Sequence, residues 1–214
     1  MIRSAAVAKV RQGLSFRTSS ANLNSVIVEA LQNVQRDLER GKTLPRFLVQ
    51  EDASLTITAN VAYIAHPTGF LREVEDERPW LDASGDDAAI ELQKADFNQA
   101  KTLWLGSEVT TPRVYAMRKA RMWLFPTPTE AGTITWSYYK AADLLDEDAD
   151  ENVWLLNAPD LMVAQAGLLV AADLNDKEAL AKFQALAQQY QKTELFKIAD
   201  DETSGGYVIM GGNN

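Results

Sequence analysis

Apolar positions recur at helical spacing towards both ends of this chain and at strand spacing in its middle. Leu23, Val26, Ile27, Ala30, Leu31, Val34 and Leu38 fall three and four residues apart, which predicts an amphipathic helix with one apolar stripe. Ser20 or Asn22 is placed to cap its start, Gly41 to stop it, and Pro45 to prevent its continuation. Residues 4–12 predict a shorter helix before it, ended by Gly13. Near the other end, Leu161, Ala164, Leu168 and Ala172 form a second stripe, with Pro159 in the first turn and small neighbours Ala166, Gly167 and Ala171 that admit a close helix. Asn175 with Glu178 resembles a capping box for a last helix presenting Leu180, Phe183, Ala187 and Tyr190.

Between these stretches the period falls to two. Leu55, Ile57 and Ala59 alternate with Thr56 and Thr58, a half-buried strand, and Asn60 marks a turn. Short strands are predicted at Tyr63–Ile64, at Phe70–Val74 and at Ile90-Glu-Leu, with residues 75–89 as loop and a short helix from Asp96 to Leu105. The clearest β signal is a hairpin, with Arg113–Met117 and Met122–Phe125 flanking the basic turn Arg118-Lys119-Ala120-Arg121. Ile134, Trp136 and Tyr138 then share one face of a further strand. The pattern predicts an α+β fold: a helical bundle formed by N- and C-terminal helices, a β-rich insertion and an extended C-terminal tail. The corresponding segments are 1–49, 50–141, 142–199 and 200–214.

Composition narrows the chemistry. The 214 residues are enough for one large domain or a domain with an insertion. There is no cysteine, which removes disulfides, zinc-thiolate sites and cysteine nucleophiles together and fits assembly in a reducing cytoplasm. Net charge is −9, from 21 basic and 30 acidic residues, against the needs of a dedicated nucleic-acid binder. The charge is uneven. Residues 1–28 hold Arg3, Lys9, Arg11 and Arg17 and no acid, whereas 143–151 hold Asp143, Asp146, Glu147, Asp148, Asp150 and Glu151 and no base. Lys9 and Arg11 interrupt any signal-peptide core, and the most apolar run, Leu161–Ala172, is about half a bilayer span, so the expectation is a soluble protein with no membrane partner.

No catalytic motif emerges, and the chain reads as a non-enzyme without cofactor or metal. His66, the single histidine, precedes Pro67 in a turn, and no Gly-x-Ser-x-Gly elbow accompanies it. Asp146-Glu-Asp148-Ala-Asp150-Glu-Asn152 has the oxygen spacing of a calcium loop, but Glu151 stands where the turn glycine belongs and Asn157 where the bidentate glutamate belongs. A solvated acidic linker is the better reading. The Gly pairs 205–206 and 211–212 follow the last helix rather than open one, so they form no phosphate loop. Two segments are candidate contacts. Arg118, Lys119 and Arg121 form a basic hairpin tip near Tyr115 and Trp123, suited to a phosphate backbone or an acidic protein surface. Tyr207, Val208, Ile209 and Met210 form an apolar patch between the Gly pairs, suited to docking on a partner.

The order of several short segments resembles the head-to-tail adaptor (connector) proteins of tailed double-stranded DNA phages. The resemblance runs from about Ser20 to Tyr190. It is carried by Leu44-Pro-Arg-Phe-Leu, Pro67-Thr-Gly-Phe-Leu-Arg-Glu-Val, Pro112-Arg-Val-Tyr-Ala-Met, Trp123-Leu-Phe-Pro-Thr-Pro and Trp136-Ser-Tyr-Tyr-Lys with its acidic loop. It ends with Trp154-Leu-Leu-Asn-Ala-Pro-Asp-Leu and Asp176-Lys-Glu-Ala. It implies a non-enzymatic virion protein, made in the host cytoplasm and placed at the head-tail junction. It also implies a homo-oligomeric ring beneath the portal protein, usually a dodecamer, whose lower face receives the next tail component (nozzle, stopper or tail tube). DNA would pass through the channel with transient, non-specific contact. The C-terminal arm, here Tyr207 to Met210, would bind portal. The first 19 residues lie outside the resemblance. Two alternatives remain beside it: a non-viral soluble protein-binding module, and a carboxylate-dependent hydrolase.

Overall fold

The structure, a computed structural model, describes residues 1–15, 21–75, 77–83, 89–104 and 109–195. In chain order the elements are α1 (Arg3–Gly13), α2 (Ala21–Glu39), β1 (Val49–Ile57), β2 (Tyr63–Ala65), β3 (Phe70–Glu73), β4 (Trp80–Ala83), β5 (Ile90–Glu91) and β6 (Gln93–Lys94). They continue with α3 (Phe97–Leu103), β7 (Val114–Met117), β8 (Arg121–Phe125), β9 (Gly132–Lys140), α4 (Val153–Asn157), α5 (Pro159–Asp173) and α6 (Lys177–Tyr190). Helices thus lie at both ends and strands between them, an α+β fold. Two compact units divide the described residues: one from Met1–Leu48 together with Ala142–Asn214, the other from Val49–Ala141.

In the helical unit α5 is the centre, packed by α1, α2, α4 and α6. Leu161, Met162, Val163, Ala164, Ala166, Gly167, Val170 and Ala171 of this helix are all buried, because it has neighbours on several sides rather than one. The single stripe expected there is therefore too narrow: Ala172 is exposed and Leu168 half-buried. The α2 stripe holds at Leu23, Ile27, Ala30, Leu31 and Val34, while Val26 is exposed. Phe183 of α6 fills the space that two glycines leave open. A Cβ at Gly13 would lie 2.2 Å from its ring, and one at Gly167 2.4 Å. These glycines make room for an aromatic side chain, so Gly13 does more than end α1.

Capping also differs from expectation. The side chain of Asp176, not Asn175, caps α6 by accepting the Ala179 N–H at 3.1 Å. Asn175 instead takes a left-handed backbone (φ 53°) in the α5–α6 turn. Asp176 reaches further, accepting the Ser15 N–H at 2.8 Å and its hydroxyl at 3.0 Å, and so ties the end of α1 to that turn.

A buried polar hub fixes the place where the chain returns to the helical unit. Glu39 Oε1 accepts from the Ala142 N–H (2.9 Å), Trp154 Nε1 (3.1 Å) and Gln35 Nε2 (3.2 Å). Asn152 caps α4 through the Leu155 N–H (3.0 Å) and donates to Gln35 Oε1 (2.9 Å) and the Asp143 carbonyl (3.0 Å). Each member satisfies another, as a buried polar group requires.

The β unit holds a five-stranded sheet, β1-β9-β4-β5 with β3 also on β9, and a four-stranded sheet, β2-β8-β7-β6. Ile57, Leu81, Ile134, Trp136 and Tyr138 of the first meet Tyr115, Met122 and Leu124 of the second in one core. Leu92, fully buried, is the pivot between β5 and β6, which belong to different sheets. The segment read as loop from 75 to 89 contains β4, where Leu81 is buried opposite Ile134.

Candidate interaction surface

The basic turn joins β7 and β8 with Lys119 and Ala120 as its two central residues. Met117 pairs with Met122, the Arg118 N–H donates to the Arg121 carbonyl at 3.0 Å, and Lys119 and Ala120 both have positive φ (50° and 52°). That is a type I′ turn, whose twist suits a hairpin and whose central positions favour Asn-Gly. Lys119-Ala120 accepts left-handed strain there, about 1–2 kcal/mol for each non-glycine residue.

Along β8, Met122 and Leu124 point into the core, leaving Arg121, Trp123 and Phe125 on the opposite face. Phe97, at the start of α3, sets its ring edge-on to Trp123 (5.2 Å) and Phe125 (5.7 Å). Asp96 fixes that helix start by accepting the Asn98 and Gln99 N–H groups. Tyr63 of β2 lies 5.2 Å from Trp123. The cations stack on these rings: the Arg118 guanidinium lies 4.3 Å from the Phe97 centroid and that of Arg121 4.1 Å from Tyr63. The structure therefore brings Arg118 and Arg121 onto one aromatic platform, with Lys119 exposed at the turn. Trp123 belongs to this platform. Tyr115 does not: it is buried on the core side, and burial first, then the nearby Glu73 carboxylate, pushes its phenol well above the ordinary range.

His66 follows β2 beside the same turn. Its N–H donates to the Ala120 carbonyl at 3.1 Å, and its ring packs on Phe70 at 4.2 Å. Burial holds the imidazole below its ordinary pKa, opposed by a hydrogen bond to the Arg121 backbone and by Glu73. Its contacts are those of a packed turn residue, in keeping with the reading from sequence.

The acidic loop is more ordered than a solvated linker. Asp150 Oδ2 accepts the Asp146 and Glu147 N–H groups at 2.7 and 2.6 Å, closing the turn on itself. Arg3 donates to the Leu145 and Asp146 carbonyls and pairs with Asp148 at 2.7 Å, while its own N–H bonds the Asp150 carbonyl at 2.8 Å. Lys9 pairs with Asp160 at 3.0 Å. The basic N-terminal segment and the acidic segments, far apart in sequence, thus meet, and part of the loop's charge serves to dock α1. Among the described residues no group of three or more His, Asp or Glu side chains is placed to hold a metal ion. No helix among them is long and apolar enough to cross a membrane. The apolar segment Tyr207, Val208, Ile209 and Met210 lies outside the described residues.

Compared with the curated proteins, the chain matches none. A family model described as SU10 adaptor protein matches residues 4–209, nearly the whole chain. The match extends the resemblance at both ends and takes in α1, so the first residues are not foreign to the family. Helices at both ends of the described residues, strands between them and this match over residues 4–209 agree: the chain belongs to the SU10 adaptor protein family, and is a phage adaptor protein of the virion.

Proposed function

We propose that copies of this protein form a ring, of twelve subunits in the arrangement the resemblance implies, beneath the portal, joining it to the next tail component around a DNA channel. Membership of the adaptor family across residues 4–209 is the observation that carries this reading. The role is structural: the protein acts by contact rather than by catalysis. In it, segments 1–49 and 142–199 serve as the ring-forming body and 50–141 as an insertion that the body presents. The arm from 200 onward, through Tyr207, Val208, Ile209 and Met210, binds portal, as an apolar segment added to a partner surface does. Many copies at −9 each line the path of DNA with negative potential, so that contact with it stays transient.

Mixing the protein with the portal protein of the same genome and determining the mass of the product tests this. A complex holding one ring of adaptor subunits per portal is expected. A protein that stays monomeric with portal present at micromolar concentration rules the reading out.

A further inference from the structure

The hairpin tip carries three cations that no carboxylate among the described residues answers. Arg118, Lys119 and Arg121 are exposed and form no ion pair among the described residues, in a chain with nine more acids than bases. Each guanidinium nonetheless lies over a ring, one over Phe97 and one over Tyr63, an arrangement that lessens the side-chain freedom lost on binding. Arg, Tyr and Trp are the residue types that concentrate binding energy at protein interfaces. A strained Lys-Ala pair holds the tip where Asn-Gly would fold more easily, a backbone outlier of the sort that gathers at functional sites.

We propose that this tip docks on the acidic loop of a second copy of the chain, at Asp143, Leu144 and Glu147. The inference rests on the ring reading above and names the contact that builds the ring. Within the loop, Asp148 is occupied by Arg3 and Asp150 by backbone amides, but Asp143 and Glu147 are exposed and make no ion pair among the described residues. Between them Leu144 is 46% exposed, an apolar contact for Tyr63, itself 36% exposed, and for Trp123. Two carboxylates beside a leucine complement two guanidiniums beside aromatic rings in both charge and polarity. Because the patches differ, the contact is head-to-tail, the kind of contact whose repetition closes a ring when the rotation between copies divides a full turn. It also supplies local attraction between copies that repel overall. Duplex DNA is a poorer occupant: three cations on a chain of charge −9 neutralise few phosphates.

A charge exchange tests the contact. Arg118→Glu with Arg121→Glu, Asp143→Lys with Glu147→Lys, and all four together are assembled with portal, and complete rings are counted by native mass spectrometry. Circular dichroism melts serve as the folding control, since all four side chains are exposed. Each pair of reversals is expected to lower ring formation about tenfold or more, and the quadruple variant to return within about threefold of wild type. Reversed pairs that assemble like wild type, or a folded quadruple variant that does not recover, overturn the proposal while leaving the ring reading standing. So does loss of binding to a labelled 30-base-pair duplex with ring formation intact, which makes the tip a DNA surface instead. Wild type that fails to assemble on portal removes both.

Discussion

Asp176 shows how much one side chain decides. It caps α6 and holds Ser15 at the end of α1, so its carboxylate joins these two helices, while its backbone N–H donates to the Ala171 carbonyl of α5. Burial by itself raises its pKa, but the Ala179 N–H, the Ser15 N–H and hydroxyl, and the Glu178 N–H outweigh burial and hold it below the ordinary value. A carboxyl with a depressed folded pKa adds stability that is complete above about pH 4 and is lost as the pH falls through the folded value. Asp176→Asn is therefore expected to melt below wild type at pH 7, with the gap narrowing under pH 4 in paired thermal melts. A gap that stays constant from pH 7 to pH 3 would show that the charge contributes nothing. From sequence the cap is read one residue early, at Asn175, because both residues are N-cap types; only the turn's left-handed bend at Asn175 places the next side chain over the helix end. Glu39 could not be singled out at all, since a glutamate on a helix reads as solvated until Gln35, Trp154 and Ala142 close around it.

Among the elements, the β7–β8 hairpin is the most legible. Its two strands and the basic turn between them follow from local pattern. The turn's strain was not legible, since Lys-Ala carries none of the Asn-Gly signature of a type I′ turn. Ala120→Gly is expected to raise stability by about 0.5–1 kcal/mol, because glycine takes positive φ without the Cβ clash, with part of the gain offset by chain entropy. A thermal melt reads this as an increase of about 1–4 °C for a protein of this size; a decrease would contradict the turn type. Three elements escape the pattern because they are short, among them the two-residue strand β6. Strand β4 is four residues beside Pro79, and α4 is five residues long, so neither spans enough periods to be seen. Helix α5 is legible as a helix but not in its faces: its burial on several sides leaves no polar face to set a stripe.

At the scale of the molecule, the alternation of helix-rich and strand-rich stretches is written plainly in the chain, and the family match over residues 4–209 agrees with the resemblance read from about Ser20 to Tyr190. Residues 203–214 belong to this scale: an apolar patch between glycine pairs after an acidic run has the composition of a segment that docks on a partner. Deleting residues 203–214 is expected to leave a protein that melts like the full chain but no longer sediments with portal. Normal co-sedimentation would remove the arm from the portal contact and leave the fold unchanged.

By itself the sequence determined the helix-strand-helix plan, the hairpin, the separation of basic and acidic segments and the lack of catalytic motifs. All of these rest on local periodicity and composition, which need no knowledge of what packs on what. Only the tertiary structure decided that Arg3 closes the acidic loop, that Gly13 and Gly167 admit Phe183, and that Arg118 and Arg121 lie over the rings of Phe97 and Tyr63. Those pairings join residues from about 16 to 170 positions apart, and nothing in local spacing carries information across such distances. The chain must fold before such groups become neighbours, and in this protein the candidate contact surface is made of them.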